Sequence, residues 1–431
     1  MPLRYLFNPK SVLLVGSSSL KLRESMVSPE VFKNIYRNLG HFCGKAYIYD
    51  VEGRERILPE VDLAVIVLPP DKTIGVMNHL KAKSCIIIPG GFNEKHRIQL
   101  KGMAKKRGIR ILGPNSIGGV INPGNGLNTT FEPGVCLKPG GAAILSQSGG
   151  IGATILDIAI SGQIGVSKFA WVGNMLDINE THLLEYLSSD VETKTIAAYF
   201  ETLKNPRKFL EVAGRTRKPV ILLKGGISKA SQERALTHTD SLSTQAGIYS
   251  GAFRQAGIIE AESLGDLVNY VILFEHYRHI RGNRLAVISN TGGSAVLAAD
   301  WCHKLGLELP EFSGRTRSGL KKRFPGIEPI NPLDIIADAD GRKYREVLET
   351  VLKDSNIDGV LLVSQFRSCL LKPDQLEVLE GVKSQKPIIA CAPGSGDFRK
   401  AKFYLGDALP VYSSVKNAVG AFSKLAEYSA R

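Results

Sequence analysis

Short, continuous apolar runs recur along this chain, each broken by small or turn-forming residues and followed by a stretch of helix length. Ser11-Val-Leu-Leu-Val15 breaks at Gly16-Ser-Ser-Ser19, and a helical pattern follows around Pro29 to Arg37. Ala46 to Tyr49, Leu63 to Leu68, Cys85 to Ile88 and Ile109 to Leu112 repeat the theme. Strands apolar on both faces, alternating with helices, predict a parallel sheet covered on both sides. Ligands of such sheets bind outside the carboxyl ends of the strands. There the chain reads Gly16-Ser17-Ser18, Pro69-Pro70, Pro89-Gly90 and Gly113-Pro-Asn-Ser116. Gly16, Ser17, Ser18, Pro69, Pro89 and Gly90 are therefore candidates to line a ligand site, a nucleotide being the expected class.

The pattern restarts twice. Asn122-Pro-Gly-Asn-Gly126 through Lys138-Pro-Gly-Gly141 is rich in breakers and reads as a domain junction. A second series opens at Ala142 to Leu145, continues near Lys168 to Val172, Thr195 to Phe200 and Pro219 to Leu223, and closes with a helix from Leu264 to Tyr277. After the basic linker Arg278 to Asn283, a third series runs through Arg284 to Ser289, Gly359 to Val363, Pro387 to Cys391 and Pro410 to Tyr412. The expectation is an α/β protein of three consecutive doubly wound units, at residues 1–127, 128–280 and 283–431.

The second and third series open alike. Ile144-Leu-Ser-Gln-Ser-Gly-Gly150 and Val287-Ile-Ser-Asn-Thr-Gly-Gly293 both read strand, hydroxyl, amide, hydroxyl, paired glycines, then helix. Glycines there bare backbone N–H groups at a helix N-terminus, where the helix dipole adds about half a positive charge. Ser148 and Gly149, with Thr291, Gly292 and Gly293, are thus candidates to bind phosphate. One such turn is a weak signal, since tight strand–helix turns use glycine for steric reasons alone. Two matching turns are a stronger one.

Composition narrows the class. The 431 residues exceed one domain, and 43% hydrophobic content suits buried cores. No apolar run is long enough for a bilayer, and Met1-Pro-Leu-Arg-Tyr-Leu-Phe lacks a secretory pattern, so a cytoplasmic protein is expected. Six cysteines without a Cys-x-x-Cys pair predict neither a metal site nor a disulfide framework. The net charge of +14 is dispersed, with clusters such as Lys105-Lys-Arg107 and Lys321-Lys-Arg323 suited to helix ends. It fits a phosphate-rich small ligand or an acidic partner subunit at least as well as nucleic acid, whose binders concentrate basic residues in stripes with aromatics.

Ala235-Leu-Thr-His-Thr-Asp-Ser-Leu-Ser243 is a polar, hydroxyl-rich segment before Gly247-Ile-Tyr-Ser-Gly251, so His238 is placed on a loop leading into a helix. An imidazole there is largely neutral near pH 7 and can attack phosphorus. The plainer alternative is a histidine that caps a turn or faces water.

Several motifs in fixed order carry a resemblance across nearly the whole chain. They are Gly108-Ile-Arg-Ile-Leu-Gly-Pro-Asn-Ser116, Ser146-Gln-Ser-Gly-Gly150, Gly173-Asn-Met-Leu-Asp177, Leu183-Leu-Glu-Tyr-Leu187, Tyr199-Phe-Glu201, Arg207-Lys-Phe-Leu210, Lys218-Pro-Val-Ile-Leu-Leu-Lys224, Thr237-His-Thr-Asp-Ser-Leu242, Asn290-Thr-Gly-Gly293 and Asn331-Pro-Leu-Asp334. In these the chain resembles the α subunit of the ADP-forming (nucleoside-diphosphate-forming) acyl-CoA synthetases of the acetyl-CoA synthetase type, relatives of succinyl-CoA synthetase. The resemblance implies a Rossmann-like CoA-binding domain followed by two flavodoxin-like ligase domains. It implies that acyl-CoA and phosphate give an acyl phosphate, that His238 takes its phosphoryl group, and that the loop delivers it to ADP. Glu201 would orient or stabilise the imidazole, and the two glycine turns would hold the phosphate. Coenzyme A would bind the first unit, whereas ATP or ADP with Mg²⁺ would bind a separate ATP-grasp β subunit, since no further domain follows the third unit. A small carboxylic acid or acyl-CoA completes the expected partners, with no nucleic acid and no membrane.

The chain departs from that pattern at two places besides the missing nucleotide region. Asp240 stands beside His238 where the family usually has a small residue, and its carboxylate would repel a phosphohistidine unless turned away or paired. After the second strand the chain reads Asp50-Val-Glu52 where Asn-Pro-Lys is usual, and the first loop lacks the longer glycine pattern. Those acids would oppose CoA phosphates, and an Asp there suits the ribose hydroxyls of a dinucleotide. A non-catalytic or regulatory CoA-binding relative and a dinucleotide-dependent oxidoreductase therefore stand beside the ligase reading.

Overall fold

Among the described residues, seventeen strands collect into three sheets, and each sheet repeats one winding plan. The computed structural model describes residues 3–19, 27–53, 58–162, 164–228, 230–231, 246–367, 370–406 and 408–431. His238 and Asp240 lie outside the described residues. The first sheet comprises β1 (Ser11–Gly16), β2 (Lys45–Asp50), β3 (Val61–Ile66), β4 (Ala82–Ile87) and β5 (Arg110–Leu112). The second comprises β6 (Val120–Asn122), β7 (Leu127–Asn128), β8 (Pro139–Ser146), β9 (Val166–Trp171), β10 (Thr195–Phe200), β11 (Val220–Lys224) and β12 (Ile259–Ala261). The third comprises β13 (Leu285–Ser289), β14 (Leu333–Asp334), β15 (Gly359–Val363), β16 (Ile388–Cys391) and β17 (Val411–Tyr412).

The spatial orders are β2-β1-β3-β4-β5, β12-β11-β10-β8-β9-β6-β7 and β14-β13-β15-β16-β17. Every pairing is parallel except those of β6 with β7 and with β9. In each sheet the first strand of the parallel set lies between its second and third. The winding therefore reverses beside that first strand, and a crevice opens past its carboxyl end. These crevices follow β1 and β3, β8 and β10, and β13 and β15.

Most of the apolar runs form strands because helices cover both of their faces; the run Ala46 to Tyr49 departs from this, because β2 is an edge strand that is exposed or half-buried along its length. Leu13, Leu14, Ile86, Ile111 and their neighbours are fully buried. Helix starts carry the expected caps: Asn93, Ser148, Asn205 and Asp340 accept backbone N–H bonds, and proline opens the helices at Pro29, Pro70 and Pro206. Lys168, in the middle of β9, is an exception to the apolar pattern. It is fully buried and pairs with Glu192 and, at 3.6 Å, with Asp190.

The chain divides into two compact bodies, Met1–Leu267 and Val268–Arg431. The first body holds the first two sheets, joined in two ways. The loop after β9 lies along the edge of the first sheet: Ile178 donates to the Ile111 carbonyl and Leu176 to that of Gly113. Asp177 accepts from Arg110 Nε and from the Ile111 N–H, both at 2.8 Å. The second body packs its own core around Ile288, Leu333, Tyr344, Val360 and Ile388. No helix among the described residues is long and apolar enough to cross a membrane.

Candidate functional site

The crevice past β8 and β10 gathers Ser148, Gly149 and Glu201. Tyr199 pairs in register with Ser146, so the turn after β8 and the residues after β10 emerge side by side. An amide holds them together. Gln147 is nearly buried, and its Oε1 accepts from the N–H groups of Glu201 at 2.9 Å and Thr202 at 3.0 Å. Its Nε2 donates to Thr202 Oγ1 at 3.0 Å. Ser146 Oγ donates to the Ser148 carbonyl at 2.7 Å, closing the turn from below. Ser148 caps the helix Gly149–Ile160 by accepting from Ile151 N–H at 3.4 Å.

The paired glycines differ in purpose. A Cβ on Gly149 would meet Ile117 at 2.6 Å, so packing explains that residue. Among the described residues nothing lies within 4 Å of a Cβ placed on Gly150, and its φ requires no glycine. Its bare backbone thus leaves room for a ligand at the start of a helix, where the free N–H groups favour an anion. Sequence reasoning named Gly149 and missed Gly150.

Glu201 is held from three sides. Tyr199 donates its hydroxyl to Glu201 Oε1 at 3.3 Å. Burial, with the adjacent Glu201 carboxylate, pushes the Tyr199 phenol up to about 12, so it remains a donor. Lys224 ends β11, opposite Phe200 in register, and is 5% exposed. Its Nζ donates to the carbonyls of Glu201 at 2.6 Å and Gly225 at 2.5 Å, and lies 4.9 Å from the centre of the Tyr249 ring. Burial pushes this lysine down to about 8, against the pull of Glu201.

The crevice past β13 and β15 is built from the same parts. Asn290 takes the place of Gln147, donating to the Gln365 carbonyl at 2.8 Å and accepting from its N–H at 3.0 Å. Ser289 Oγ donates to the Thr291 carbonyl at 2.9 Å, as Ser146 does in the other turn. Thr291 precedes the helix Gly292–Lys304 without a side-chain capping bond, and its Oγ1 is buried with no hydrogen-bond partner among the described residues. Among the described residues nothing lies within 4 Å of a Cβ placed on Gly293, whereas a Cβ on Gly292 would stand 3.1 Å from Asp334 Oδ2. Asn331 is occupied by structure: it bonds the backbones of Val287, Leu285 and Pro310.

In the first sheet, Gly16, Ser17, Ser18 and Pro69 meet past β1 and β3, which pair from Val12–Leu63 to Val15–Ile66. Pro89 and Gly90 follow β4, one strand further along the sheet. They adjoin Asn115, which donates its N–H to the Pro89 carbonyl at 2.8 Å and its Nδ2 toward Asn174 Oδ1 at 3.5 Å. Gly16 is required by packing, because a Cβ would strike the Phe32 ring at 2.1 Å. Asp50 is turned onto its own loop. Its Oδ2 accepts from the Ser18 N–H at 3.1 Å and hydroxyl at 2.5 Å, and its Oδ1 from the Glu52 N–H at 3.1 Å. Burial raises the Asp50 carboxyl, but these bonds outweigh it and hold the group below its ordinary value. Glu52 accepts from Ser19 Oγ and faces Lys72 at 3.9 Å. Beside them a 570 Å³ cavity is lined by Tyr49, Val51, Leu58, Lys72, Gly75 and Lys81 among others. Sequence reading gave no signal for this cavity, because its walls come from three separate segments.

Residues 139–274 match the family described as a succinyl-CoA ligase like flavodoxin domain. Over 97% of this chain and 96% of its own length, the α subunit of ADP-forming acetate–CoA ligase II from Pyrococcus furiosus is 34% identical. The ADP-forming acetate–CoA ligase of Methanocaldococcus jannaschii is 36% identical over 99% of this chain, which spans 63% of that protein. Among solved structures, an acetyl-coenzyme A synthetase 1 of Ca. Korarchaeum cryptofilum, in complex with phosphate and ADP, is 28% identical. It superposes with a TM-score of 0.89, covering 99% of this chain and 97% of that one.

Proposed function

Because the chain belongs to the family of ADP-forming acetate–CoA ligase α subunits, we propose that it interconverts acyl-CoA, ADP and phosphate with acid, CoA and ATP, in concert with an ATP-grasp partner subunit. A phosphate oxygen attacks the thioester carbonyl, the CoA thiolate leaves, and an acyl phosphate forms. A ring nitrogen of His238 then attacks phosphorus and displaces the carboxylate, giving a phosphohistidine. Finally a β-phosphate oxygen of ADP attacks that phosphorus and releases the neutral imidazole. Glu201 favours the imidazolium character that develops during transfer, and the backbone donors of the Ser148 turn neutralise phosphoryl charge; the Thr291 turn of the second body is by itself a second anion-binding turn.

The three segments 1–127, 128–280 and 283–431 take the CoA, relay and second phosphate roles. Coenzyme A is assigned to the crevice of Gly16, Ser17, Ser18 and Pro69, its adenosine end in the cavity beside Lys72 and its thiol end toward Pro89, Gly90 and Asn115. Adenine nucleotide and Mg²⁺ belong to the partner. The observation that carries this reading is the amide-clamped crevice, in which a glycine turn with room at Gly150 is fixed beside Glu201. Asp50 favours a second reading, a regulatory CoA-binding relative, because it occupies the Ser18 donors that a phosphate would use.

The test is labelling. With the partner subunit, Mg²⁺ and ATP labelled at the γ-phosphate, the chain should acquire acid-labile, base-stable label, and His238→Ala should abolish it. Label that survives His238→Ala removes the relay, and binding of CoA without turnover of acid, CoA and ATP favours the regulatory reading.

A further inference from the structure

Lys224 has a placement that a strand-end lysine does not need. Residues 225–245, which include His238, leave β11 at Lys224 and return into the helix Ala246–Gln255. The Lys224 ammonium touches the first residue of that segment through the Gly225 carbonyl. It also touches the helix that ends the segment, through the Tyr249 ring. Its remaining contact is the carbonyl of Glu201, on the neighbouring loop. One buried cation therefore joins the entry and the exit of the histidine segment to the backbone of the acid assigned to meet the imidazole.

We propose that Lys224 is a positioning residue of the phosphoryl relay: its charged ammonium fixes both roots of the His238 segment against Glu201. The inference rests on the relay reading above. A lysine shared by two carbonyls and an aromatic face holds geometry only while it is protonated, since the neutral amine donates more weakly and loses its attraction to the ring. The groups facing it are the Glu201 carboxylate, the Tyr199 phenol on β10 and the Tyr249 phenol on the returning helix. Burial brings the lysine to about 8, and the cation disappears as pH rises through that value.

The experiment measures the rate of phosphohistidine formation from labelled ATP with the partner subunit between about pH 6.5 and 9.5, on wild type, Lys224→Met and Lys224→Arg. Wild-type labelling should fall as pH rises through about 8. Lys224→Met should label roughly ten- to a hundredfold more slowly, the scale of a misplaced reacting group, and should show no limb there. Lys224→Arg, cationic throughout, should recover much of the rate and carry it past the wild-type limb. Should Lys224→Met fail to fold, the wild-type and Lys224→Arg profiles decide between them. A limb near 8 that persists in Lys224→Arg, or Lys224→Met labelling at the wild-type rate, overturns the proposal and leaves a lysine that only satisfies strand-end carbonyls. Absence of label from wild type, or label that persists in His238→Ala, overturns the relay itself and this inference with it.

Discussion

Replacing Gln147 with leucine would test the clamp that sets Glu201 in place. The side chain is nearly the same size, so packing is largely kept. Two backbone N–H groups, those of Glu201 and Thr202, lose their acceptor. Both face a nearly buried residue, and an orphaned buried donor costs about 1–3 kcal/mol. The sum is roughly 2–6 kcal/mol, the upper end applying if water cannot enter. Thr202→Val is the internal control. It removes only the bond from Gln147 Nε2 to Thr202 Oγ1 and should cost about 1 kcal/mol. The chain holds two tryptophans, Trp171 in the second sheet and Trp301 in the second body. Urea unfolding followed by fluorescence in a Trp301→Phe background therefore reports the first body through Trp171. Gln147→Leu should lose several times the stability that Thr202→Val loses, and should also depress the labelling of His238. Equal losses for the two variants would refute the clamp, and unchanged labelling would detach it from Glu201.

Three further expectations follow from other contacts. Thr291→Val removes a buried hydroxyl that has no partner among the described residues, so it should raise the stability of the second body by about 1 kcal/mol by calorimetry while weakening phosphate binding; a lowered melting temperature would contradict the geometry. Gly152→Ala drives a Cβ to 2.2 Å from Trp171 Nε1 and should cost roughly 1–3 kcal/mol, read from urea unfolding and a changed Trp171 emission. Asp50 is held below its ordinary 3.8, so its contribution is complete above that value and vanishes as pH falls through the lowered one. Wild type should therefore exceed Asp50→Asn in stability above about pH 4, with the gap closing in stronger acid; a gap that widens in acid would refute the Ser18 latch.

Much of the fold was legible because parallel strands buried on both faces read as uninterrupted apolar runs. The predicted strands at Leu63 to Leu68, Thr195 to Phe200 and Gly359 to Val363 fall within two residues of β3, β10 and β15. The helix expected from Leu264 to Tyr277 spans Leu264–His276. Short strands escaped: β6 and β7 flank a glycine-rich turn and looked like a junction, and β14 has two residues. Lys168 hid the start of β9, because its charge is neutralised by acids some twenty residues onward that no local pattern connects to it. At the site, glycines and hydroxyls announced the turns, but Gln147 and Asn290 resembled ordinary turn residues. Their partners, Glu201 with Thr202 and Gln365, are 54 or more positions away, and only the strand order brings them adjacent. The duplicated amide was the available signal. Lys224 stood in the sequence only as the end of the resembling motif that starts at Lys218, with no role read from it, since a lysine at a strand end is ordinarily solvated.

The two small antiparallel strands bear on how this chain can be cut. Val120 and Ile121 pair with Ala170 and Phe169, so β6 covers the outer edge of β9, and β7 covers β6 in turn. The segment that leaves the first sheet thus finishes the second. A fragment starting at residue 128 would carry the relay residues but present β9 as a bare hydrophobic border, open to pairing with another copy. A fragment ending at residue 127 would carry the crevice past β1 and β3, with β6 and half of β7 left without a sheet to join. Expression trials should therefore keep residues 3–267 together, because the borders of function and the borders of independent folding do not coincide here.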